Sequence, residues 1–131
     1  MTYLIDSDWV IDYLRGQSAA IEFLGNFNAD ELAISIITYG EVYEGVLFAP
    51  HRRLTDEALN EFLRVTEIVL LSRPIMRAYA RIRGELRQSG RRLDDNDLLI
   101  AATALEHDFT LVTRNVNHFT RVPGLRLFQQ S

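Results

Sequence analysis

Short apolar runs alternate along the whole chain with longer amphipathic segments. The runs that predict strands are TYLID at 2–6, ELAISIIT at 31–38, EIVLL at 67–71, TLVTR at 110–114 and LRLFQ at 125–129. Such alternation is typical of a parallel sheet that is covered by helices on both faces and connected by right-handed crossovers. The pattern therefore predicts an α/β fold of three layers, with a central parallel sheet of about five strands.

Helical spacing of apolar residues characterises the segments between these runs. The segments that predict helices are WVIDYLRG, SAAIEFLGNF, YGEVYEGVLFA, TDEALNEFLRV, PIMRAYARIRGELRQSG and NDLLIAATALEHD. The longest of them has Pro74 in its first turn and Gly90 after its end, which is the usual placement of these two residue types. The last is apolar on most sides, so we expect it to be buried.

Length and composition indicate one globular domain. The chain has 131 residues with no repeat or linker, and 47% of them are hydrophobic, so we expect a single domain over 1–131. The absence of cysteine excludes disulfides, thiolate catalysis and zinc sites with cysteine ligands. No apolar run approaches the roughly 20 residues of a transmembrane helix. No basic region precedes the first apolar residues, as it would in a signal peptide, so we expect a cytoplasmic protein without membrane contact.

All 14 basic residues are arginine, and seven of them cluster in one segment. These seven are Arg73, Arg77, Arg81, Arg83, Arg87, Arg91 and Arg92. The net charge of −4 argues against general binding of polyanions. Guanidinium groups nevertheless bind phosphate in a bidentate manner and stack on bases. Two interpretations of the segment stay open: a solvated helix face and a surface that contacts phosphate.

Carboxylates recur after successive predicted strands. Asp6 ends the first strand, and Glu41 lies three residues beyond Thr38, at the start of the helix that follows the second. Asp97 lies in the first turn of the apolar helix that leads to the fourth strand. Sites in parallel sheets form at the carboxyl ends of the strands, so we expect these side chains to converge. Converging carboxylates repel unless a cation binds them, and Mg²⁺ or Mn²⁺ prefers oxygen ligands and activates water.

Each of these positions also has a purely structural interpretation. Asp6 suits the N-cap of the helix that follows it. Thr38 and Glu41 fit a capping box, and Asp94 fits the N-cap of the last long helix. Asp8 suits either a supporting role in a metal site or an N-cap, and we favour the cap. The recurrence of carboxylates at the same end of successive units favours the metal site.

Four motifs in series carry a resemblance to a known family: YLIDSDWVIDYL, ISIITYGEVYEGV, DDNDLLIAATALEHDFTLVTRN and VNHF. In this order and spacing the chain resembles the PIN-domain nucleases, and more narrowly the VapC-type toxins of bacterial toxin–antitoxin pairs. The resemblance covers nearly the whole chain. It implies an endoribonuclease that depends on Mg²⁺ or Mn²⁺ and cleaves structured RNA, such as transfer or ribosomal RNA, by metal-activated water. It also implies a homodimer, a larger toxin–antitoxin assembly and inhibition by a VapB-like antitoxin.

The resemblance implies roles for individual residues. Asp6, Glu41 and Asp97 match the carboxylates of the family's metal site. Asn115 stands where many members carry a fourth aspartate, so we expect it to contribute through its amide oxygen or a bound water. An amide removes one negative charge from the site, and Asp95 is the candidate to supply it.

Four further residues are candidates for supporting roles. The hydroxyls of Ser7 and Thr113 would contact water or substrate, or else cap the local backbone. Arg91 and Arg92 are the members of the arginine cluster nearest to the acidic site in the sequence, which makes them candidates for RNA binding.

The early helices carry many apolar and aromatic residues that are candidates for an antitoxin groove or a dimer contact. They are Trp9, Tyr13, Tyr39, Tyr43, Val46, Leu47 and Phe48, and the sequence does not divide them between the two roles. An alternative function is a non-catalytic PIN-like module that binds RNA or a protein. A phosphoryl-transfer domain of receiver type is disfavoured because it requires a lysine, and this chain has none.

Overall fold

The computed structural model describes residues 1–129, in which strands alternate with helices. The elements are β1 (Tyr3–Ile5), α1 (Ser7–Leu14), α2 (Ser18–Leu24), β2 (Leu32–Ser35), α3 (Ile36–Leu47), α4 (Arg52–Leu63), β3 (Glu67–Val69), α5 (Arg73–Gln88), α6 (Asp95–His107), β4 (Thr110–Val112), α7 (Val116–Phe119) and β5 (Arg126–Leu127). A short 3₁₀ turn, Ala29–Glu31, precedes β2. The last two positions of the predicted domain lie outside the described residues.

The five strands form one parallel sheet in the order β3-β2-β1-β4-β5. Tyr3 in β1 is opposite Leu32 on one side and Thr110 on the other, so β1 is the central strand. Leu4 and Ile5 are fully buried, which explains the continuous apolar run in a strand that is covered on both faces. The predicted parallel sheet of about five strands is confirmed.

Helices cover both faces of the sheet and create two hydrophobic cores. Leu4 points into the core that α5, α6 and α7 close, together with residues such as Ile82 and Phe119. Ile5 points into the opposite core, which α1 to α4 close with residues such as Val10. Successive side chains of a strand point to opposite faces, so the two neighbours serve different cores. The predicted burial of α6 is also confirmed, since four of its alanine and isoleucine side chains are fully buried. Within residues 1–129, no helix combines the length and the apolar character needed to cross a membrane.

The second strand ends earlier than the sequence predicts, and this changes the role of Glu41. The run through Ile36 and Ile37 favours a strand, but the Ser35 hydroxyl accepts a hydrogen bond from the Ile37 N–H at 2.9 Å and caps α3 there. Thr38 is therefore a buried residue inside α3, and the predicted capping box with Glu41 is wrong. Strand preference of branched residues depends on context, and here a local serine cap outweighs it. Glu41 consequently lies in the second turn of α3.

The first helix also begins earlier than predicted, directly after Asp6. The Asp6 carboxylate accepts a hydrogen bond from the Ser7 N–H at 2.8 Å and occupies the N-cap position of α1. Asp8 is therefore the second residue of the helix, and its predicted role as an N-cap is wrong. The carboxylate of Asp8 instead accepts hydrogen bonds from the backbone N–H groups of Trp9 and Arg114.

Candidate active site

The acidic residues lie at the point where the order of strands in the sheet changes direction. The chain places β2 on one side of β1 and later returns to place β4 on the other side. Crevices at such switch points, outside the carboxyl ends of the strands, are the usual sites of α/β sheets. Asp6 directly follows β1 and Thr113 directly follows β4, and both side chains are buried. The crevice between β1 and β4 is therefore the centre of the candidate site.

Hydrogen bonds fix the orientation of the Asp6 carboxylate. The Thr113 hydroxyl donates to Asp6 Oδ2 at 2.7 Å, and the Ser7 N–H donates to Oδ1. The Thr113 hydroxyl in turn accepts a hydrogen bond from the Asn115 N–H at 3.0 Å. Thr113 thus acts as a link between the two strand ends, while Ser7 contributes its backbone to Asp6 rather than its hydroxyl.

The pKa values of Asp6 and Asp97 are both raised well above the ordinary 3.8. Burial is the largest cause for Asp6 and raises its pKa to about 6, partly opposed by the hydrogen bond from Thr113. Burial is also the largest cause for Asp97, whose pKa is about 7, and the charges of Asp94, Asp6 and Glu41 raise it further. Asp6 and Asp97 are therefore electrostatically coupled to Glu41, although the three residues come from separate elements.

Glu41 has one buried oxygen without a partner. Glu41 Oε2 accepts a long hydrogen bond, 3.5 Å, from Asn96 Nδ2, whereas Oε1 is buried and has no hydrogen-bond partner among residues 1–129. A buried acceptor without a donor is unfavourable, and binding of a cation would relieve it. Sequence reasoning missed Asn96, whose only signal was its position inside the run Asp94–Asp97.

The neighbouring aspartates at the start of α6 have different roles. Asp94 accepts a hydrogen bond from the Asp97 N–H at 2.9 Å and caps the helix, as one interpretation predicted. Asp95 is directed towards α5, where it accepts hydrogen bonds from the Tyr79 hydroxyl at 3.0 Å and from Arg83 Nε at 3.3 Å. Asp95, the candidate to supply the charge that Asn115 lacks, therefore already has two partners on α5.

The remaining candidates lie at the edge of the site or outside it. Asn115 occupies the N-cap position of α7 and is exposed. Arg91 and Arg92 are exposed in the segment that joins α5 to α6. Their backbones are held in place, because the Arg91 N–H donates to Leu86 O and Arg92 O accepts from Arg121 Nη1, both at 2.8 Å.

The chemistry of the acidic residues fits a hard divalent cation. All three side chains offer only carboxylate oxygens, and one of these is the unpartnered Oε1 of Glu41. Burial is the largest cause of the raised pKa of Asp97, and the charges of Asp94, Asp6 and Glu41 add to it. A bound cation would offset this repulsion. Within residues 1–129, however, no three such side chains are already arranged closely enough to form a ligand set. The residues therefore fit a metal by type and charge, and their side chains would have to adjust to coordinate it.

Arg114 is a residue near the site that sequence reasoning missed. Its guanidinium lies 3.9 Å from the centre of the Trp9 ring and pairs with the carboxylate of Asp12. Its backbone N–H also donates to Asp8 at 3.4 Å. These contacts attach the segment between β4 and α7, which carries Thr113, to α1. Because the partners are about a hundred positions apart in the chain, no local sequence pattern indicates them.

Several of the residues predicted to form an interface instead pack partly or fully against other residues of the protein. Val46 is only 2% exposed and belongs to the core, so its prediction as an interface residue is wrong. Trp9 is stacked on Phe23 at 4.0 Å, and Tyr39 is stacked on Tyr43 at 5.8 Å. Phe48, in contrast, is 83% exposed.

Comparison with known proteins gives consistent matches over nearly the whole chain. The PIN domain family matches residues 3–125. Ribonuclease VapC19 of Mycobacterium tuberculosis is 37% identical over 125 residues, which are 94% of this chain and 96% of that protein. Ribonuclease VapC2 of Rickettsia felis is 36% identical over 131 residues, with 97% and 96% covered. The crystal structure of VapBC2 from Rickettsia felis, bound to a DNA fragment from their promoter, matches with a TM-score of 0.85 and 30% identity over 100% of both chains.

Proposed function

We propose that this chain, which belongs to the PIN domain family and within it to the VapC-type ribonucleases, cleaves RNA as the toxin of a toxin–antitoxin pair. The observation that carries the proposal is the buried Asp6 carboxylate at the switch point of the sheet, oriented by Thr113 and the Ser7 N–H, together with the buried and unpartnered Oε1 of Glu41. The charges of Asp6 and Glu41 also raise the pKa of Asp97, in addition to its burial. A non-catalytic binding module would have no need for coupled carboxylates with raised pKa values at this position.

In this proposal Asp6, Glu41 and Asp97 hold Mg²⁺ or Mn²⁺. Such an ion, when bound, supplies charge stabilisation at the phosphodiester and acidifies water for the attack. The protein contributes by orienting these carboxylates. Thr113 and the Ser7 N–H orient Asp6, and Asn96 contacts Glu41.

Asn115 has a separate proposed role at the edge of the site. Its backbone N–H is used by the Thr113 hydroxyl, and its side chain is exposed beside that residue. We infer that the side-chain amide contacts substrate or water, because an amide offers both a donor and an acceptor without adding negative charge. We infer that the partly exposed Ser7 also contributes its hydroxyl to water or substrate.

The proposed partner is a VapB-like antitoxin, since similar solved structures are VapBC complexes. An apolar groove of about 600 Å³ between α2 and α4 suits an apolar segment of such a partner, and exposed Ile21 and Val65 lie along it. Phe48 and Leu54 are exposed elsewhere and suit the proposed homodimer contact. The RNA substrate and the antitoxin together suggest a cytoplasmic location.

The test of the proposed activity is RNA hydrolysis by purified protein with Mn²⁺, compared with the same reaction in EDTA. Asp97→Asn should lower the rate by at least about 100-fold, because it removes a charge from the coupled carboxylates. Asp30→Asn, a change of the same type at an exposed position away from the site, serves as the matched control and should retain full activity. Full activity in Asp97→Asn, or in EDTA, contradicts the proposal.

A further inference from the structure

Helices α5 and α6 enclose a cleft of about 430 Å³. Three arginines line it, Arg83 and Arg87 from α5 and Arg92 from the segment before α6. Asp95 also lines the cleft, and leucines such as Leu98 form its apolar floor. The cleft collects members of the arginine cluster that are separated in sequence, and it omits Arg73, Arg77, Arg81 and Arg91.

The charges in this arginine cleft do not cancel. Arg83 is paired with Asp95, with 3.3 Å between Nε and Oδ1. Arg87 and Arg92 have no carboxylate within 4.0 Å in the part of the chain that the structure describes. Three guanidinium groups therefore face one carboxylate, in a chain whose net charge is −4. The cleft is a local cationic site on an acidic protein.

Several contacts hold the walls of the cleft in place. The Tyr79 hydroxyl and Arg83 both donate to Asp95, which connects α5 to the first turn of α6. The third wall of the cleft is the segment before α6. Arg121 fixes this segment by donating to the backbone oxygen of Arg92 at 2.8 Å. A rigid arrangement lowers the entropy that is lost when a ligand is bound.

The cleft and the proposed catalytic residues share the first turn of α6, on different sides of that helix. Asp95 and Asp97 lie in the same first turn of α6, with Asp95 directed to the cleft and Asp97 coupled to Asp6. An acidic catalytic site repels an RNA backbone, so favourable contacts with the substrate have to come from other groups nearby. Arginine is the residue best suited to provide them, because its planar guanidinium binds phosphate with two parallel hydrogen bonds.

We propose that the arginine cleft binds a phosphodiester of the RNA substrate other than the one that is cleaved. This inference rests on the proposed function, whose substrate it extends to a second point of contact. Arg87 and Arg92 make the phosphate contacts, while the pairing of Arg83 with Asp95 maintains the shape of the cleft.

The test compares the double variant Arg87→Gln/Arg92→Gln with a control that removes the same charge. The control is Arg77→Gln/Arg81→Gln, which changes two exposed arginines one turn apart on a different face of α5. Binding of a fluorescein-labelled single-stranded RNA is measured in EDTA at several salt concentrations. Hydrolysis of the same RNA is measured with Mn²⁺.

The cleft variant should weaken RNA binding and raise KM by roughly tenfold while kcat stays within about twofold. The slope of log K against log salt should fall by about 0.7 for each phosphate contact that is lost. The control variant should change these quantities by less than half as much. Equal effects of the two variants would show only a diffuse influence of charge and overturn the inference. No effect of either variant would overturn it as well.

Two further outcomes separate this inference from the proposed function. If wild type cleaves RNA but the cleft variant matches the control, the cleft inference alone fails. If Asp97→Asn keeps full activity, the proposed function fails, while RNA binding in EDTA still decides the cleft. A labelled poly-glutamate peptide is the competing probe, and loss of peptide binding with unchanged RNA binding would assign the cleft to an acidic protein segment instead.

Discussion

At the scale of single residues, Asp6 combines two roles that sequence patterns present as alternatives. It is the N-cap of α1 through Oδ1, and it is coupled to the charges of Asp8 and Glu41. The cap and the hydrogen bond from Thr113 orient the carboxylate, whereas burial opposes its ionisation. A residue that is held rigidly in an unfavourable ionised state is prepared to bind a cation.

The raised pKa values predict how the stability of the metal-free protein depends on pH. Asp6 and Asp97 have folded-state pKa values of about 6 and about 7, above the ordinary 3.8. The folded protein therefore holds protons that the unfolded chain releases, so these groups favour folding below about pH 4, and that contribution is lost as pH rises through 6 to 7. For Asp6, which is 4% exposed, the difference corresponds to roughly 3 kcal/mol.

The measurement is urea unfolding in EDTA between pH 4.5 and pH 7.5. Asp97→Asn should lose less stability than wild type over this interval, because the amide does not ionise. Asp30→Asn should behave as wild type does. If Asp97→Asn and wild type lose the same stability between these two pH values, the pKa of Asp97 is not raised in solution.

At the scale of elements, the structure attaches the end of β4 to α1. Arg114 stacks on Trp9 and pairs with Asp12, while Asp8 accepts the Arg114 N–H. The segment held in this way carries Thr113, which orients Asp6. Asp8, the second carboxylate after β1, therefore has a structural contact that serves the site indirectly.

Removal of the Arg114 side chain is expected to affect activity more than stability. Arg114→Ala should lower the free energy of unfolding by about 1 kcal/mol, since a partly exposed ion pair and a cation–π contact are each worth at most about that much. The rate of RNA hydrolysis should fall by more than this loss of stability alone would cause, because the segment that holds Thr113 against Asp6 loses its support. Urea unfolding and initial rates with Mn²⁺ provide the two measurements.

The control for this prediction is Arg126→Ala, which removes an arginine that is paired with Asp108 at the other end of the strands. It should cause a similar small loss of stability and leave the rate of hydrolysis unchanged. A rate in Arg114→Ala equal to that of the control would show that Thr113 does not need this support.

At the scale of the whole molecule, the sheet brings three distant parts of the chain to one edge. Asp6 follows β1, Glu41 lies in the helix after β2, and Asp97 opens the helix before β4. The order β3-β2-β1-β4-β5 directs all three towards the end of β1, although their side chains do not yet form a ligand set among residues 1–129. Repulsion among them destabilises the metal-free fold locally, so a bound cation should stabilise the entire domain.

Addition of Mn²⁺ is therefore expected to raise the melting temperature at pH 7.5. A ligand that binds only the folded state stabilises it by about 2.7 kcal/mol at a concentration of 100 times its Kd. Glu41→Gln should reduce this effect, and the effect should be smaller at pH 5.5, where Asp6 and Asp97 hold protons. Asp30→Asn should respond to Mn²⁺ as wild type does. A wild-type melting curve that millimolar Mn²⁺ does not change would contradict the proposed metal site.

The sequence alone determined the class of fold, the number of strands and the elements that carry Asp6, Glu41 and Asp97. These properties follow from the alternation of apolar runs with helical patterns, which depends on neighbours within a few residues and is legible without tertiary contacts. The local caps were less predictable. Asp94 was correctly predicted as the N-cap of α6. The N-cap at Ser35 was not predicted, because the strand preference of Ile36 and Ile37 favoured a longer strand.

Only the tertiary structure decided which side chains serve the acidic site. It directed Asp95 to Arg83 on α5, joined Arg114 to Asp12 across about a hundred positions, and gathered Arg87 and Arg92 into one cleft. The physical reason is that hydrogen bonds and ion pairs depend on distances and directions set to within fractions of an ångström. Those distances follow from how the helices pack on the sheet, and the sequence spacing of the partners carries no information about that packing.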